Sequence, residues 1–431
     1  MSSLYPVSLS TSPEGPLQLS NISLPKLAAH YGTPLYVIDR ATLENNCRQY
    51  TQTLTQVYPD HLVVFAGKAN LNLGLLNILA KEGLGVDVVS AGELTTALKS
   101  DIPNNKIVFH GNNKSKEELE LALKNDIRII VDNPFELQLI DSIARHLEKT
   151  ARIMLRLKPE IEAHTHDYIK TGHIDSKFGI NKEDVLQLVS WIKSQPHLHF
   201  LGIHSHIGSQ IFELTPFEDL AKIMAQHMAD IRDQCEIEIL ELNLGGGIGI
   251  QYVANDDPPP IPLYLERLTS SLKKACETLG LPLPKLMVEP GRSIVGTAGL
   301  TLYTIGNIKR IPGIKDYLFV DGGMADNPRP MMYQSQYTFA NATRPHDPAT
   351  QTYTIAGKYC ESGDILAKDI PLPETHIGDT LVVYDTGAYN YSMASHYNRN
   401  PKPATVIIED TNHRLLIRRE TFDDLMQYDM P

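Results

Sequence analysis

Apolar runs rich in Val, Ile and Leu recur between residues 60 and 290, each closed by a polar or glycine-containing turn. They are Leu62–Ala66, Gly85–Val89, Lys106–His110, Arg128–Val131, Arg152–Leu157, Phe200–His206, Leu240–Leu244 and Leu286–Glu289. Amphipathic stretches lie between them: Lys114–Asp126, Pro134–Lys149, Lys182–Lys193, Pro216–Arg232 and Leu263–Leu279. The first opens with Ser115 and Glu118 at capping-box spacing and places Leu119, Ala122 and Leu123 on one helical face. Strand signals alternating with helix signals predict a parallel sheet closed into a (β/α)8 TIM barrel, an α/β architecture.

After Arg292 the helical periodicity stops. Strand-like segments follow at Leu300–Ile308, Tyr317–Val320, Thr352–Ile355, Thr380–Tyr384, Thr405–Ile408 and Leu415–Arg418. Strands without intervening helices predict a separate C-terminal antiparallel β-domain. Leu35–Ile38 reads as one more strand, and residues 1–34 as an irregular lead-in. The expected division is therefore 1–39, an N-terminal segment contributing to the β-domain; 40–295, the barrel; and 296–431, the β-domain. The links Asp321–Tyr333, Cys360–Pro373 and Thr386–Pro403 are long, and long ordered loops tend to be functional.

Composition narrows the partners. At 431 residues the chain exceeds what one core usually holds, and 42% hydrophobic content suffices to bury two. A net charge of −12 speaks against nucleic acid or an acidic membrane surface as principal partner. No apolar stretch approaches a membrane span. The opening segment lacks the basic start and apolar run of a signal peptide, so the cytoplasm is the default expectation. Cys47, Cys235, Cys276 and Cys360 are far apart and form no metal-type pair. The first three read as small buried hydrophobes; Cys360 lies in the polar segment Cys360-Glu361-Ser362-Gly363-Asp364.

Barrels of this kind place their chemistry at the carboxyl ends of the strands, often with a phosphate held by the last two loops. Those loops here read Gly245-Gly246-Gly247 and Glu289-Pro290-Gly291-Arg292. Glycines let the backbone approach an anion closely, Arg292 adds a charged fork, and Ser209 offers a hydroxyl. A glycine triplet alone is more often a plain turn; three anion-friendly elements at successive strand ends are harder to dismiss. Lys68 follows the first run. A lysine there is commonly just a solvated charge, but at a barrel rim, partly desolvated, its amine can attack a carbonyl. A carbonyl-capturing lysine and a phosphate cradle together suggest pyridoxal 5′-phosphate. Glu289 would serve its ring nitrogen, and His206 would lie flat on the ring. The pairs His164/His166 and His204/His206 have strand-alternating spacing and raise zinc as a rival. No motif completes such a site, so no metal is expected, and His164, His166 and His204 read as core or hydrogen-bonded residues.

Several segments, in order, resemble the alanine racemase-fold group of pyridoxal-phosphate decarboxylases. They are Phe65-Ala66-Gly67-Lys68-Ala69-Asn70, Val86–Leu94, His204-Ser205-His206-Ile207-Gly208-Ser209, Gly245–Gly247, Glu289–Arg292 and Cys360–Asp364. Three more resemble the diaminopimelate decarboxylase branch: His164–Gly179, Asp321-Gly322-Gly323-Met324 through Arg329-Pro330 and Tyr333, and Gly387–Met393. The resemblance runs from about Leu35 nearly to the C-terminus.

It implies a cofactor-bearing Lys68, with His206 against the ring and Glu289 at its nitrogen. Ser209, Gly245, Gly246, Gly247, Gly291, Arg292 and Tyr389 would surround the phosphate. It implies Arg292, Arg329, Tyr333, Glu361 and Tyr389 as substrate ligands and Cys360, or a group it positions, as the catalytic proton donor. Cys360 and Glu361 would come from the partner in a homodimer with shared active sites. The implied reaction takes meso-2,6-diaminopimelate to L-lysine and CO2, the last step of lysine biosynthesis. Arg329 discriminates this substrate, because a fork can grip the distal carboxylate that ornithine, arginine or carboxynorspermidine lacks. A racemase of the same fold is disfavoured by Cys360-Glu361, and a silent cofactor carrier by the long β-domain. Gly67 and the Asn327-Pro328 lead into Arg329 depart from the usual pattern of the group.

Overall fold

The computed structural model describes residues 4–159 and 177–430. The chain folds into two compact units. One comprises Asn46–Gly249 and Pro258–Gly291; the other comprises Ser2–Asn45, Ile250–Asp257 and Arg292–Pro431. The second unit thus includes a short excursion, Ile250–Asp257, that no periodicity distinguished from the neighbouring barrel sequence. The paired histidines His164 and His166, and the motif beginning there up to Ser176, lie outside the described residues.

In the first unit, eight parallel strands close into a ring: His61–Ala66, Gly85–Val88, Ile107–Phe109, Arg128–Val131, Ala151–Arg156, Leu198–His204, Glu241–Asn243 and Lys285–Val288. Spatial order follows chain order. The last strand pairs with the first, setting Leu286, Met287 and Val288 beside His61, Leu62 and Val63. Leu62, Val64, Val108, Ile130, Met154, Leu201 and Met287 pack together as a buried cluster. Side chains from alternate strand positions thereby fill the core, as barrel closure requires. Several strands stop one or two residues before their apolar runs do. His110, His206, Leu244 and Glu289 therefore stand on the loops beyond the carboxyl ends.

The surrounding helices follow the amphipathic stretches. Ser115 accepts from the Glu118 amide, and the Glu118 carboxylate accepts from the Ser115 amide, completing the capping box. At the opposite ends of the strands, Arg128 and Glu241 open the fourth and seventh strands. They share two buried hydrogen bonds of 2.6 and 2.7 Å. Polar pairs at that face of a barrel serve stability rather than chemistry.

The second unit is built on a twisted sheet whose longest strand, Gly299–Ile311, pairs with Leu35–Asp39, Thr380–Val383 and Lys315–Val320. The expectation of an antiparallel domain needs correction, because two pairings are parallel. Lys315–Val320 runs with Gln351–Ala356, and Leu35–Asp39 runs with Ala404–Glu409. Apolar spacing does not encode strand direction; the long connections in both cases return the chain from the same end.

Two further corrections concern weak signals. The lead-in is not irregular: Leu9–Thr11, Leu17–Leu19 and Ile22–Ser23 form a small sheet, followed by a helix at Leu24–Tyr31. Strands of two or three residues are too short for periodicity to register. The link Cys360–Pro373 contains the strand Ile365–Leu372, which ends one side of the sheet. Its Lys368 and Asp369 are the charges that keep an edge from pairing further, and they mask its alternation. Cys47, Cys235 and Cys276 are buried, whereas Cys360 is exposed. No helix among the described residues is long and apolar enough to cross a membrane.

Candidate active site

At the carboxyl rim of the barrel, a 3-10 turn at Gly67–Ala69 continues the first strand. Gly67 and Ala69 are buried and the lysine between them is exposed. The two flanking anchors fix the backbone, and the lysine's charge acts on His206, Asp87 and Glu93. Position 67 has a local reason to be glycine: a Cβ would lie 2.6 Å from the Asp87 carbonyl oxygen and 2.7 Å from Leu71 Cδ1. The eighth loop closes against the same turn. Ala66 donates its amide to the Pro290 carbonyl, and a Cβ at Gly291 would sit 2.9 Å from that of Ala66.

The glycine segment after the seventh strand is held from both sides. Gly245 and Gly247 have φ of 64° and 126°, values that favour glycine. A Cβ on Gly246 would lie 2.2 Å from the Glu289 carbonyl oxygen. The Gly246 amide donates to His206 Nδ1 at 3.3 Å. His206 thus carries a lone pair on Nδ1. Burial disfavours its protonation, and the charges of Lys68 and Arg156 add to the effect, putting its pKa well below the ordinary imidazole value. The pair His204/His206 does not share a target. His206 faces the glycine loop, while His204 ends its strand and turns to Glu289.

Glu289 is held by three hydrogen-bond partners. Its Oε1 accepts from Asn243 Nδ2 at 2.7 Å and is 2.7 Å from His110 Nε2; its Oε2 is 3.2 Å from His204 Nε2. Burial alone would raise the pKa of this carboxyl, but the two imidazoles outweigh it and hold the pKa well below the ordinary range. His204 is pushed down to about 4, by burial first, against the opposing pull of Glu289. Asp87, on the second strand, is buried with Oδ1 unpartnered, and burial pushes its carboxyl up to about 6. Arg156, at the end of the fifth strand, lies 3.9 Å from Asp132 and stacks over Phe178 at 4.4 Å. Sequence reasoning assigned no role to Asp87, His110, Asn243 or Arg156. Their shared signal is position, each being a polar residue at the carboxyl end of a barrel strand.

The second unit gathers a different set. Arg292 opens a short helix, Arg292–Val295, and donates to Tyr252 Oη at 2.5 Å. The ring of Tyr389 lies 4.8 Å from the Arg292 guanidinium and 5.5 Å from that of Arg329. Tyr389 has φ of 64°, an uncommon backbone state for a tyrosine, and that geometry sets it between the two cations. Arg329 also lies over Tyr333 at 5.3 Å and donates to Ser335 at 3.2 Å, while its buried Nε has no hydrogen-bond partner. Arg292, Arg329, Tyr333 and Tyr389 are therefore neighbours. Cys360 and Glu361 are exposed. The Cys360 amide donates to Asn398 Oδ1 at 2.9 Å, and Tyr397 donates to Glu361 at 3.4 Å. Tyr252, on the Ile250–Asp257 excursion, is a partner that sequence reasoning missed.

A parallel barrel carrying a lysine, a glycine loop and a buried carboxylate at one rim defines a class that comparison with known proteins resolves. Residues 40–296 match the family described as pyridoxal-dependent decarboxylase, pyridoxal binding domain. A diaminopimelate decarboxylase from Synechocystis is 46% identical, covering 99% of this chain and 92% of that one. One from Bacillus subtilis is 42% identical over 97% and 96%. The crystal structure of an M. jannaschii diaminopimelate decarboxylase in co-complex with L-lysine superposes with a TM-score of 0.91 at 32% identity, covering 99% and 98%. The chain belongs to the pyridoxal-dependent decarboxylases and, within them, to the diaminopimelate decarboxylase family.

Proposed function

We propose that this protein is a pyridoxal 5′-phosphate-dependent carboxy-lyase that converts meso-2,6-diaminopimelate to L-lysine and CO2, acting as a cytoplasmic homodimer. The observation that carries this reading is similarity along nearly the whole chain to proteins named for that activity. The residues suit the cofactor. A buried carboxylate held ionised at Glu289 is what a protonated ring nitrogen needs, and a neutral His206 suits the face of a ring. Glycines whose Cβ positions are already filled by neighbouring backbone let amides approach a phosphate.

When bound, the cofactor supplies an electron-withdrawing ring that accepts the electrons released as the substrate carboxylate leaves. Lys68 would tether it through the side-chain amine and release it to the substrate's own amine. Ser209, Gly245, Gly246, Gly247, Gly291, Arg292 and Tyr389 would hold its phosphate. Arg329 would grip the distal carboxylate of diaminopimelate, and the buried Nε without a partner supports that role, since an unmet donor is costly unless a ligand accepts from it. Arg292, Tyr333 and Tyr389 would complete substrate binding. Glu361 would pair with the distal ammonium, and Cys360 would deliver a proton to the α-carbon, both from the partner subunit. Their exposure in the single chain is what residues serving a second subunit would show.

The test is an absorbance spectrum of purified protein with pyridoxal 5′-phosphate, taken with and without meso-diaminopimelate and coupled to detection of lysine and CO2. Spectral change with lysine formation is expected. CO2 release from ornithine or arginine but not from diaminopimelate would overturn the reading.

A further inference from the structure

Glu289 is surrounded more tightly than a carboxylate serving as a simple counter-charge would need to be. We propose that His110 and His204, together with Asn243, are positioning residues that hold Glu289 as a fixed anion with a single acceptor direction left for the cofactor's ring N–H. The proposal rests on the pyridoxal-phosphate reading and deepens it.

An ionised carboxylate offers about four acceptor positions. Three are engaged: Asn243 and His110 at Oε1, at 2.7 Å each, and His204 at Oε2, at 3.2 Å. Each partner is itself constrained. Asn243 accepts the Gly245 amide through Oδ1 at 2.9 Å, so its Nδ2 must face Glu289. That contact also ties the carboxylate to the glycine loop. His204 is 1% exposed and its Nδ1 has no partner, so the neutral ring presents Nε2–H to the carboxylate. His110 meets His204 edge-on at 4.7 Å between ring centroids, each fixing the other's plane. Donors from the third, sixth and seventh strand ends therefore converge on a residue just beyond the eighth. Three donors make the anion the favoured form despite burial.

The same three ligand atoms, on His110, His204 and Glu289, lie within 4.8 Å of one another and could hold a metal ion. The hydrogen-bond reading is preferred because each imidazole nitrogen already sits at donor distance from a carboxylate oxygen. Other charged groups act on Glu289 from neighbouring strands. Asp87 opposes its ionisation, while Arg156 favours it. Neither is among its hydrogen-bond partners.

The test uses holoenzyme reconstituted with pyridoxal 5′-phosphate labelled with ¹⁵N in the ring. His110→Phe and His204→Phe remove a donor; His110→Gln and His204→Gln keep an N–H at similar reach. In the Phe variants we expect the ring nitrogen to lose its proton at lower pH than in the unmodified enzyme. Turnover should fall about tenfold or more per lost donor, with KM for diaminopimelate little changed. The Gln variants should recover most of both. Phe variants with an unmoved ¹⁵N titration and unchanged turnover would overturn the proposal. So would a stoichiometric divalent metal in the active protein whose chelation abolishes the ¹⁵N signature. If the Phe variants do not fold, the unmodified enzyme still decides: a ring nitrogen that deprotonates between about pH 6 and 8 contradicts a fixed anion opposite it. Failure of the unmodified protein to bind the cofactor or release CO2 would instead sink the functional reading beneath it.

Discussion

Arg329 and Lys68 show how unequal the information in single residues is. Lysine after a buried strand and glycines in a row carry their own chemistry, so Lys68, Gly245–Gly247 and Arg292 were legible as candidates. Asp87, His110, Asn243 and Arg156 were not, because one polar residue ending an apolar run looks the same whether it faces solvent or a site. Only ring closure brings His110 and Glu289 to 2.7 Å. Arg329 was legible from resemblance alone; its burial and its two tyrosine neighbours come from the fold. Substituting Arg329 by Ala is expected to lower turnover of diaminopimelate about a hundredfold or more, because a site built for a polar group loses most when that contact is removed. Cofactor affinity, followed by absorbance titration, should change far less. Equal turnover in the variant would refute the assignment.

Elements with strong periodicity were read well. The helix expected at Lys114–Asp126 spans Lys116–Lys124 with its capping box in place, and the eight barrel strands fall on their apolar runs. Short or charged strands escaped, as did strand direction. Loops hold information of another kind. In Asp321–Tyr333, the buried Asp326 carboxylate accepts from Tyr303, from the Gly323 amide and from Tyr359, which tethers this loop to the one bearing Cys360. Burial, opposed by those hydrogen bonds, pushes Asp326 up to about 7. The folded protein therefore keeps a proton that the unfolded chain releases near pH 4. The associated stability is fully present below about pH 4 and is lost as pH rises to about 7, a change on the order of a few kcal/mol. Asp326→Asn should flatten the fall in denaturation midpoint between pH 5 and 8. An unchanged slope would mean that Asp326 does not govern this pH dependence.

At the scale of the molecule, the division of labour between the two ends of the barrel can be separated experimentally. Arg128 and Glu241 are paired and buried at the amino ends of their strands, opposite the barrel rim that bears Lys68, the glycine loop and Glu289. Glu241→Ala leaves an uncompensated buried guanidinium and is expected to cost about 3–5 kcal/mol of stability. The folded fraction should retain its turnover per molecule. A loss of turnover without loss of stability would contradict that separation.

The proposal of a site shared between subunits belongs to the same scale. If Cys360 and Glu361 serve the partner subunit, mixing inactive Lys68→Ala and Cys360→Ala subunits should restore about a quarter of the native activity through hybrid dimers. Mixtures that stay inactive while exchanging subunits would argue for sites complete within one chain. The proposed sharing of the site is the part least legible in the sequence, because exposed residues of a single chain carry no mark of what covers them.

The proposal of catalysis at the carboxyl rim of the barrel stands on attachment of the cofactor to Lys68. Borohydride reduction of the holoenzyme followed by peptide mapping reads this directly. A stable pyridoxyl adduct on Lys68, in the peptide containing Phe65–Asn70, is the expected result. An adduct on another lysine, or none on a protein that binds the cofactor and releases CO2, would contradict the assignment of the barrel rim as the catalytic centre.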